Sequence, residues 1–184
     1  IRADISGKVA EEALQKNIEN IASGKYGEKH DTKAGAVVVM NVHTGEVLAM
    51  ASYPDYNPER YSEEYSNDDT GKYTNRAISG AYPPGSTFKM AVATAALEEG
   101  VITPTSRVND TGVYPYGHHP VCWYYTNYRT GHGYLNVTQA LKYSCNYFFY
   151  EMGYRLGIDK ITDYASRYGL GKYLRRSEEH TSEL

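Results

Sequence analysis

Apolar residues recur at helical spacing near the start of the chain and predict its first element. Between residues 9 and 22 they fall three or four positions apart, so they share one face of an amphipathic helix. Two short apolar runs follow at residues 36–40 and 46–51, with the turn signal His43-Thr44-Gly45 between them. Runs of this length around such a turn predict an antiparallel strand pair.

The second half of the chain is predicted to be mostly helical. Helical spacing covers residues 86–99, and Gly100 ends that helix. Asn136 is expected to cap a helix that starts near Val137, and further helices are predicted at residues 147–156 and 159–168. Residues 53–74 and 101–133 are predicted to be mostly irregular. The order of helix, strand pair and helical block predicts an α/β (α+β) fold with an antiparallel sheet.

The first candidate for chemistry is a serine and a lysine three positions apart. Ser86 and Lys89 lie where the turn Pro83-Pro84-Gly85 meets the predicted helix. Positions i and i+3 share a helix face, so Lys89 Nζ can reach the Ser86 hydroxyl as a base reaches a nucleophile. Desolvation at a helix start would lower the pKa of the lysine, and the free N–H groups there would stabilise an oxyanion. A capped helix start with a solvated lysine is the alternative, because Ser-x-x-Lys occurs by chance about once in a chain of this size.

A second motif, Ser144-Cys145-Asn146, follows 58 residues after Ser86. Ser-x-x-Lys and a Ser-x-Asn sequence occur together in penicillin-binding proteins and serine β-lactamases. Residues two apart on a continuous helix point about 200° apart. Ser144 and Asn146 can therefore face one pocket only if the helix breaks close to Ser144. A polar pair on a helix flank is the alternative.

Several blocks in order resemble the transpeptidase domain of class B penicillin-binding proteins. Residues 35–54 resemble the paired strands that open this domain, and Asn75-Arg76-Ala77 with residues 84–89 resembles the run that carries its nucleophile. The similarity continues through residues 98–102, Cys122-Trp123, His132-Gly133 and residues 144–149. It covers roughly residues 5 to 174 and is closest to the elongation-type penicillin-binding protein 2, with sporulation- or division-type relatives next.

The resemblance implies a role for each motif residue in a partial serine β-lactamase/D,D-transpeptidase-like fold. Ser86 would be acylated by the D-Ala-D-Ala end of a peptidoglycan stem peptide or by a β-lactam antibiotic. Lys89 would accept the serine proton, and Ser144 would pass a proton to the leaving amine. Asn146 would bind the substrate amide, and the Ser86 backbone N–H would form half of the oxyanion hole.

The resemblance also implies the surroundings of the protein. No cofactor is expected, and the full-length protein would lie at the bacterial cell membrane on its extracytoplasmic (periplasmic) face, with its anchor upstream. Cell-wall glycosyltransferases and morphogenesis proteins would be its partners. The formal net charge is only −3, which argues against a nucleic-acid partner.

The family's third motif, Lys-Thr/Ser-Gly, should follow the second motif, and no such sequence occurs there. His43-Thr44-Gly45 precedes the nucleophile and is assigned to the hairpin turn. Residues 1–175 are therefore expected to be the N-terminal part of a transpeptidase domain. Residues 176–184 are expected to be a non-native tail that resembles translated sequencing adapter. The chain by itself is expected to be inactive, since one lost oxyanion donor costs about 2.7–4 kcal/mol.

Other functions remain open at this point. A serine β-lactamase would need a group that activates the deacylating water, which the sequence does not place, and a non-catalytic β-lactam sensor would share the motifs. No metal is assigned to the site, although Asp110, His119, Cys122 and His132, with His118 nearby, form an alternative set of zinc ligands. Cys122 and Cys145 are the only cysteines, and both a disulfide and two free thiols are possible.

Overall fold

The computed structural model describes residues 5–57, 59 and 70–171 of the 184-residue chain. The middle of the predicted irregular segment 53–74 and the predicted tail 176–184 lie outside the described residues. The chain divides into two compact units, residues 1–82 and residues 83–184. Within the described part, no helix is both long and apolar enough to cross a lipid bilayer.

The first unit is a helix packed on a β-hairpin. Helix α1 (Ile5–Ser23) contacts strands β1 (Gly35–Met40) and β2 (Val47–Tyr53), which pair antiparallel with Val37 opposite Ala51. The side chain of Asn41 accepts hydrogen bonds from the N–H groups of His43 and Thr44, at 2.9 and 3.3 Å, and closes the turn. The short helix α2 (Arg76–Ser79) follows, capped by Asn75. The predicted helix, strand pair and turn are confirmed.

The second unit is a block of helices with one small sheet. A 3₁₀ turn (Gly85–Phe88) leads into α3 (Lys89–Glu98), strand β3 (Val108–Asp110), α4 (Trp123–Tyr128) and strand β4 (Gly133–Leu135). Helices α5 (Val137–Lys142), α6 (Asn146–Leu156) and α7 (Ile158–Arg167) complete it. Strands β3 and β4 pair antiparallel, which fits the predicted α/β class with antiparallel pairing.

Helix α3 lies at the centre of this unit because it is built from small side chains. Ala95 and Ala96 are fully buried, and α3 contacts α5, α6 and α7. Small residues let the neighbouring helices approach closely, and the large buried side chains of Phe148 and Met152 on α6 fill the remaining core. Lys89, as the first residue of α3, is thereby held at the edge of a rigid core.

Residues 101–133 contain a helix that the pattern did not predict. Helix α4 has the sequence Trp-Tyr-Tyr-Thr-Asn-Tyr, which has no separation into polar and apolar faces. Tertiary contacts hold it instead, since the Cys122 N–H donates to Gly112 O at 2.8 Å. The Tyr125 ring also packs so closely on Gly112 that a Cβ there would lie 2.1 Å from it. Asn136 does cap α5, in a capping box with Gln139.

Candidate active site

Ser86 is presented by the 3₁₀ turn that precedes α3. Pro84 is the N-cap of that turn, and Gly85 has φ +55°, while a Cβ added at Gly85 would meet no atom within 4 Å. This position therefore needs glycine for its backbone angle and not for space. The Ser86 hydroxyl belongs to an exposed residue. Its backbone N–H lies in the first turn of the helical segment, where donors have no partner within the helix.

Lys89 brings both predicted motifs together at one nitrogen atom. Its Nζ lies 3.2 Å from Ser86 Oγ, 2.9 Å from Ser144 Oγ and 2.6 Å from Asn146 Oδ1. It also lies 2.8 Å from the Ser144 backbone oxygen. Ser144 Oγ is in turn 2.9 Å from Ser86 Oγ. The side chains of two motifs that are 58 residues apart therefore form one closed network.

The helix break required at Ser144 is present, and its geometry is specific. Helix α5 ends at Lys142, Ser144 has φ +50°, and α6 begins at Asn146. The Cys145 N–H donates to Ala140 O at 2.9 Å and the Ser144 N–H to Leu141 O at 3.1 Å. These two bonds define a Schellman motif, in which the left-handed residue is usually glycine. Here a serine takes that position and turns its hydroxyl toward Lys89.

Burial lowers the pKa of Lys89 from its ordinary value of 10.5, although the nearby Cys145 and Cys122 act in the opposite direction. Four oxygen atoms surround Nζ at hydrogen-bonding distance, whereas an ammonium group has only three protons to donate. Ser144 O and Asn146 Oδ1 can only accept, so they take two of the amine protons. The third position of Nζ is left for the hydroxyls of Ser86 and Ser144, with which it can exchange a proton.

The chain is similar in sequence to a known protein family. The family described as penicillin binding protein transpeptidase domain matches residues 35–183. The chain belongs to this family. Peptidoglycan D,D-transpeptidase MrdA of Escherichia coli strain K12 is 37% identical over 177 residues, covering 87% of this chain and 25% of the relative. The chain thus spans about a quarter of the length of the curated relatives it matches.

Solved penicillin-binding proteins share the fold. PBP2 of Pseudomonas aeruginosa, in complex with WCK 5153, has a TM-score of 0.67 and 36% identity, over 88% of this chain and 36% of that one. Penicillin-binding protein A of M. tuberculosis, as an imipenem acyl-enzyme complex, has a TM-score of 0.69 and 30% identity, over 89% of this chain and 40% of that one. Helicobacter pylori PBP2 in complex with MreC has a TM-score of 0.67 and 28% identity, over 87% of this chain and 30% of that one. The family match extends through most of residues 176–184.

Behind the second motif of this transpeptidase family member lies a buried cluster of potential metal ligands. Asp110, Cys122, His132 and Cys145 each offer one donor atom, and these atoms lie within 4.8 Å of one another. His132 Nδ1 is 2.6 Å from Asp110 Oδ2, and the Cys145 thiol donates to the same oxygen at 3.3 Å. Gly131 is required here for space, since a Cβ would lie 2.0 Å from Asp110 O.

Protonation in this cluster follows from burial and hydrogen bonding. Burial alone would raise the pKa of Asp110, but hydrogen bonds from His132 and from the Gly112 N–H outweigh it and leave that pKa below its ordinary value. Burial, reinforced by Asp110, raises the pKa of the Cys145 thiol far above its ordinary value. Without a metal, the cluster therefore pairs a carboxylate with a neutral thiol.

The four donors could hold a zinc ion. Zinc prefers four ligands of nitrogen, sulfur and oxygen at about 2.0–2.3 Å, which places tetrahedral ligands about 3.3–3.8 Å apart. The structure brings three of the predicted alternative ligands together, namely Asp110, Cys122 and His132, and adds Cys145, which the sequence pattern did not indicate. His118 and His119 are exposed and outside the cluster. Both cysteines are free thiols in this structure.

We expect glycine at position 144 to give a more stable protein than alanine does. Both Ser144→Gly and Ser144→Ala remove the hydroxyl and its hydrogen bonds, but only glycine relieves the left-handed backbone. The Gly variant should be more stable by about 1 kcal/mol, as measured by chemical denaturation of the full-length protein. An Ala variant as stable as the Gly variant would show that this residue does not have a left-handed backbone.

We expect the purified full-length protein to contain one equivalent of zinc, measured by native mass spectrometry and elemental analysis. Binding to the folded state alone stabilises it by about 3–4 kcal/mol when the free ion is 100 to 1,000 times above its dissociation constant. A strong chelator should therefore lower the melting temperature. His119→Ala should retain the ion and Cys122→Ser should lose it. The zinc site would be contradicted by a wild-type protein that contains no metal and whose melting temperature changes with neither zinc nor chelator.

Proposed function

We propose that this chain is the acyl-transfer part of a peptidoglycan D,D-transpeptidase. The observation that carries the proposal is the contact of Lys89 Nζ with Ser86, Ser144 and Asn146 at 2.6–3.2 Å. A half-buried amine next to an exposed hydroxyl supplies a nucleophile and its base. The family membership and the 37% identity to a D,D-transpeptidase support the same reaction.

In the first half-reaction, Ser86 Oγ attacks the carbonyl carbon of the penultimate D-Ala of a stem peptide. Its proton passes to Lys89 Nζ, and the Ser86 N–H stabilises the oxyanion that forms. The bond from that carbonyl carbon to the terminal D-Ala nitrogen then breaks. Ser144 Oγ, which contacts both Ser86 Oγ and Lys89 Nζ, gives its proton to the leaving amine and takes one back from Lys89. Lys89 is then neutral again, and the acyl-Ser86 ester remains.

The second half-reaction reverses these roles. The amine of a second stem peptide attacks the ester carbonyl carbon and loses its proton through Ser144 to Lys89. Ser86 Oγ then leaves and takes that proton from Lys89. Asn146 binds the substrate amide in both steps. A β-lactam would enter the first half-reaction alone, because its leaving amine stays attached to the acyl group.

We further assign the full-length protein to the elongation-type class, held at the extracytoplasmic face of the bacterial membrane. The PBP2 relatives support this class, and the H. pylori PBP2 complex with MreC supports a morphogenesis partner. A glycosyltransferase partner belongs to the same proposal. Residues 1–175 would form the first part of the transpeptidase domain and residues 176–184 a tail. Because no Lys-Thr/Ser-Gly sequence follows Asn146 here, this chain alone would be inactive.

Covalent labelling by a fluorescent penicillin tests the nucleophile. We expect the full-length wild-type protein to be labelled with one equivalent, and Ser86→Ala to lose labelling by at least a factor of about 10². Ser166→Ala on α7 removes a hydroxyl of the same type far along the chain and should label normally. Equal labelling of wild type and Ser86→Ala would overturn the assignment. Steady release of hydrolysed β-lactam would identify a β-lactamase instead.

The pH dependence of acylation tests Lys89 as the base. Protonation blocks proton acceptance, so the acylation rate should rise with pH and level off above the pKa of Lys89. Because burial lowers this pKa, the midpoint should lie clearly below 10.5. Lys89→Arg should be inactive throughout, since arginine keeps its proton, whereas Lys160→Arg should keep the wild-type profile. A rate that still climbs steeply up to pH 10.5 would exclude a depressed lysine.

A further inference from the structure

The Trp123 indole makes hydrogen bonds that neither motif accounts for. Its Nε1–H donates to Tyr143 O at 3.2 Å and to Ser144 O at 3.2 Å. Ser144 O is also the backbone oxygen that Lys89 Nζ reaches at 2.8 Å. One indole N–H therefore contacts both carbonyl groups adjacent to the left-handed residue of the second motif.

With the two bonds from Trp123, the peptide groups on both sides of Ser144 are hydrogen-bonded at their N–H and at their C=O. The unit between residues 143 and 144 has its N–H bound to Leu141 O, and the unit between residues 144 and 145 has its N–H bound to Ala140 O. The Schellman motif thus holds the N–H end of each unit and Trp123 holds the C=O end. If either unit rotated, the Ser144 hydroxyl and the Asn146 amide would move away from Lys89 Nζ.

The indole is itself held by its neighbours. Its ring meets Tyr124 edge-on at 5.6 Å between centroids and His132 at 5.7 Å. Trp123 is the first residue of α4, and Cys122, its N-cap, is fully buried. The side chain is nonetheless 39% exposed, so its packing alone does not explain a tryptophan at this position. Phenylalanine or tyrosine could cover the same surface but has no N–H at that place.

We propose that Trp123 is a positioning residue for acyl transfer, and that its indole N–H keeps the Ser144 turn in the conformation that places Ser144 and Asn146 at Lys89. This inference rests on the proposed transpeptidase function. It assigns Trp123 no contact with the substrate and no proton transfer. Its effect falls on the rate of the acylation step and leaves the binding of substrate unchanged.

The test separates acylation from binding in the full-length protein. Stopped-flow measurements with a chromogenic β-lactam give the dissociation constant of the initial complex and the first-order acylation rate constant of the active fraction. Two variants are compared, Trp123→Phe and Trp123→benzothienylalanine, of which the second replaces only the indole N–H by sulfur. Tyr128→Phe is the control, since Tyr128 lies on the same helix, exposed, and packs on Tyr124.

We expect both Trp123 variants to lower the acylation rate constant about tenfold, with the dissociation constant unchanged within about twofold and Tyr128→Phe like wild type. Loss of rate in Trp123→Phe alone, with the benzothienylalanine variant at the wild-type rate, would show that ring packing matters and would overturn the proposal. A weaker complex with an unchanged rate constant would overturn it in favour of direct substrate contact. Wild-type protein that is never acylated would instead refute the proposed function.

Discussion

The left-handed backbone at Ser144 is the constraint on which this site depends. Two residues that are separated by one position cannot point the same way from an unbroken helix, yet Ser144 and Asn146 both reach Lys89 Nζ. The chain solves this by ending α5 in a Schellman motif and starting α6 three residues after Tyr143. A non-glycine residue in this conformation costs about 1–2 kcal/mol, and glycine would avoid that cost. Glycine, however, has no hydroxyl to place between Lys89 and Ser86.

A second constraint is the depth at which Lys89 sits. Its amine must lose enough water to lower its pKa, and it must also remain beside an exposed nucleophile. The alanine-rich sequence of α3 meets both needs. Fully buried Ala95 and Ala96 let α6 pack closely against α3, so that Asn146 at the start of α6 comes within 2.6 Å of Nζ. Small side chains in the core thereby determine which polar groups surround the Lys89 amine at its edge.

The sequence predicted the elements and contacts that local chemistry decides. The hairpin turn, the Asn136 cap and the break near Ser144 each depend on a few neighbouring residues, and each appears where it was expected. Helix α4 and the fourth member of the buried cluster were missed. Their formation depends on Gly112 and Gly131, where other chain segments approach too closely for a side chain, and such contacts leave no periodic signal. The one local signal was that Cys145 is one of only two cysteines.

Cys145 links the buried cluster to the catalytic network, since it lies between Ser144 and Asn146 in sequence. Its N–H completes the Schellman motif, and its thiol donates to Asp110 and accepts from the Phe148 N–H at 3.4 Å. Strained backbone persists only where its surroundings over-determine it. Here the turn is held through the N–H groups of residues 144 and 145, through the carbonyls of residues 143 and 144, and through the Cys145 side chain. Asp110 binds that side chain, and His132 in turn contacts both Asp110 and Cys122. Because these residues come from separate segments, the geometry at Lys89 depends on how the whole loop between α3 and α5 folds.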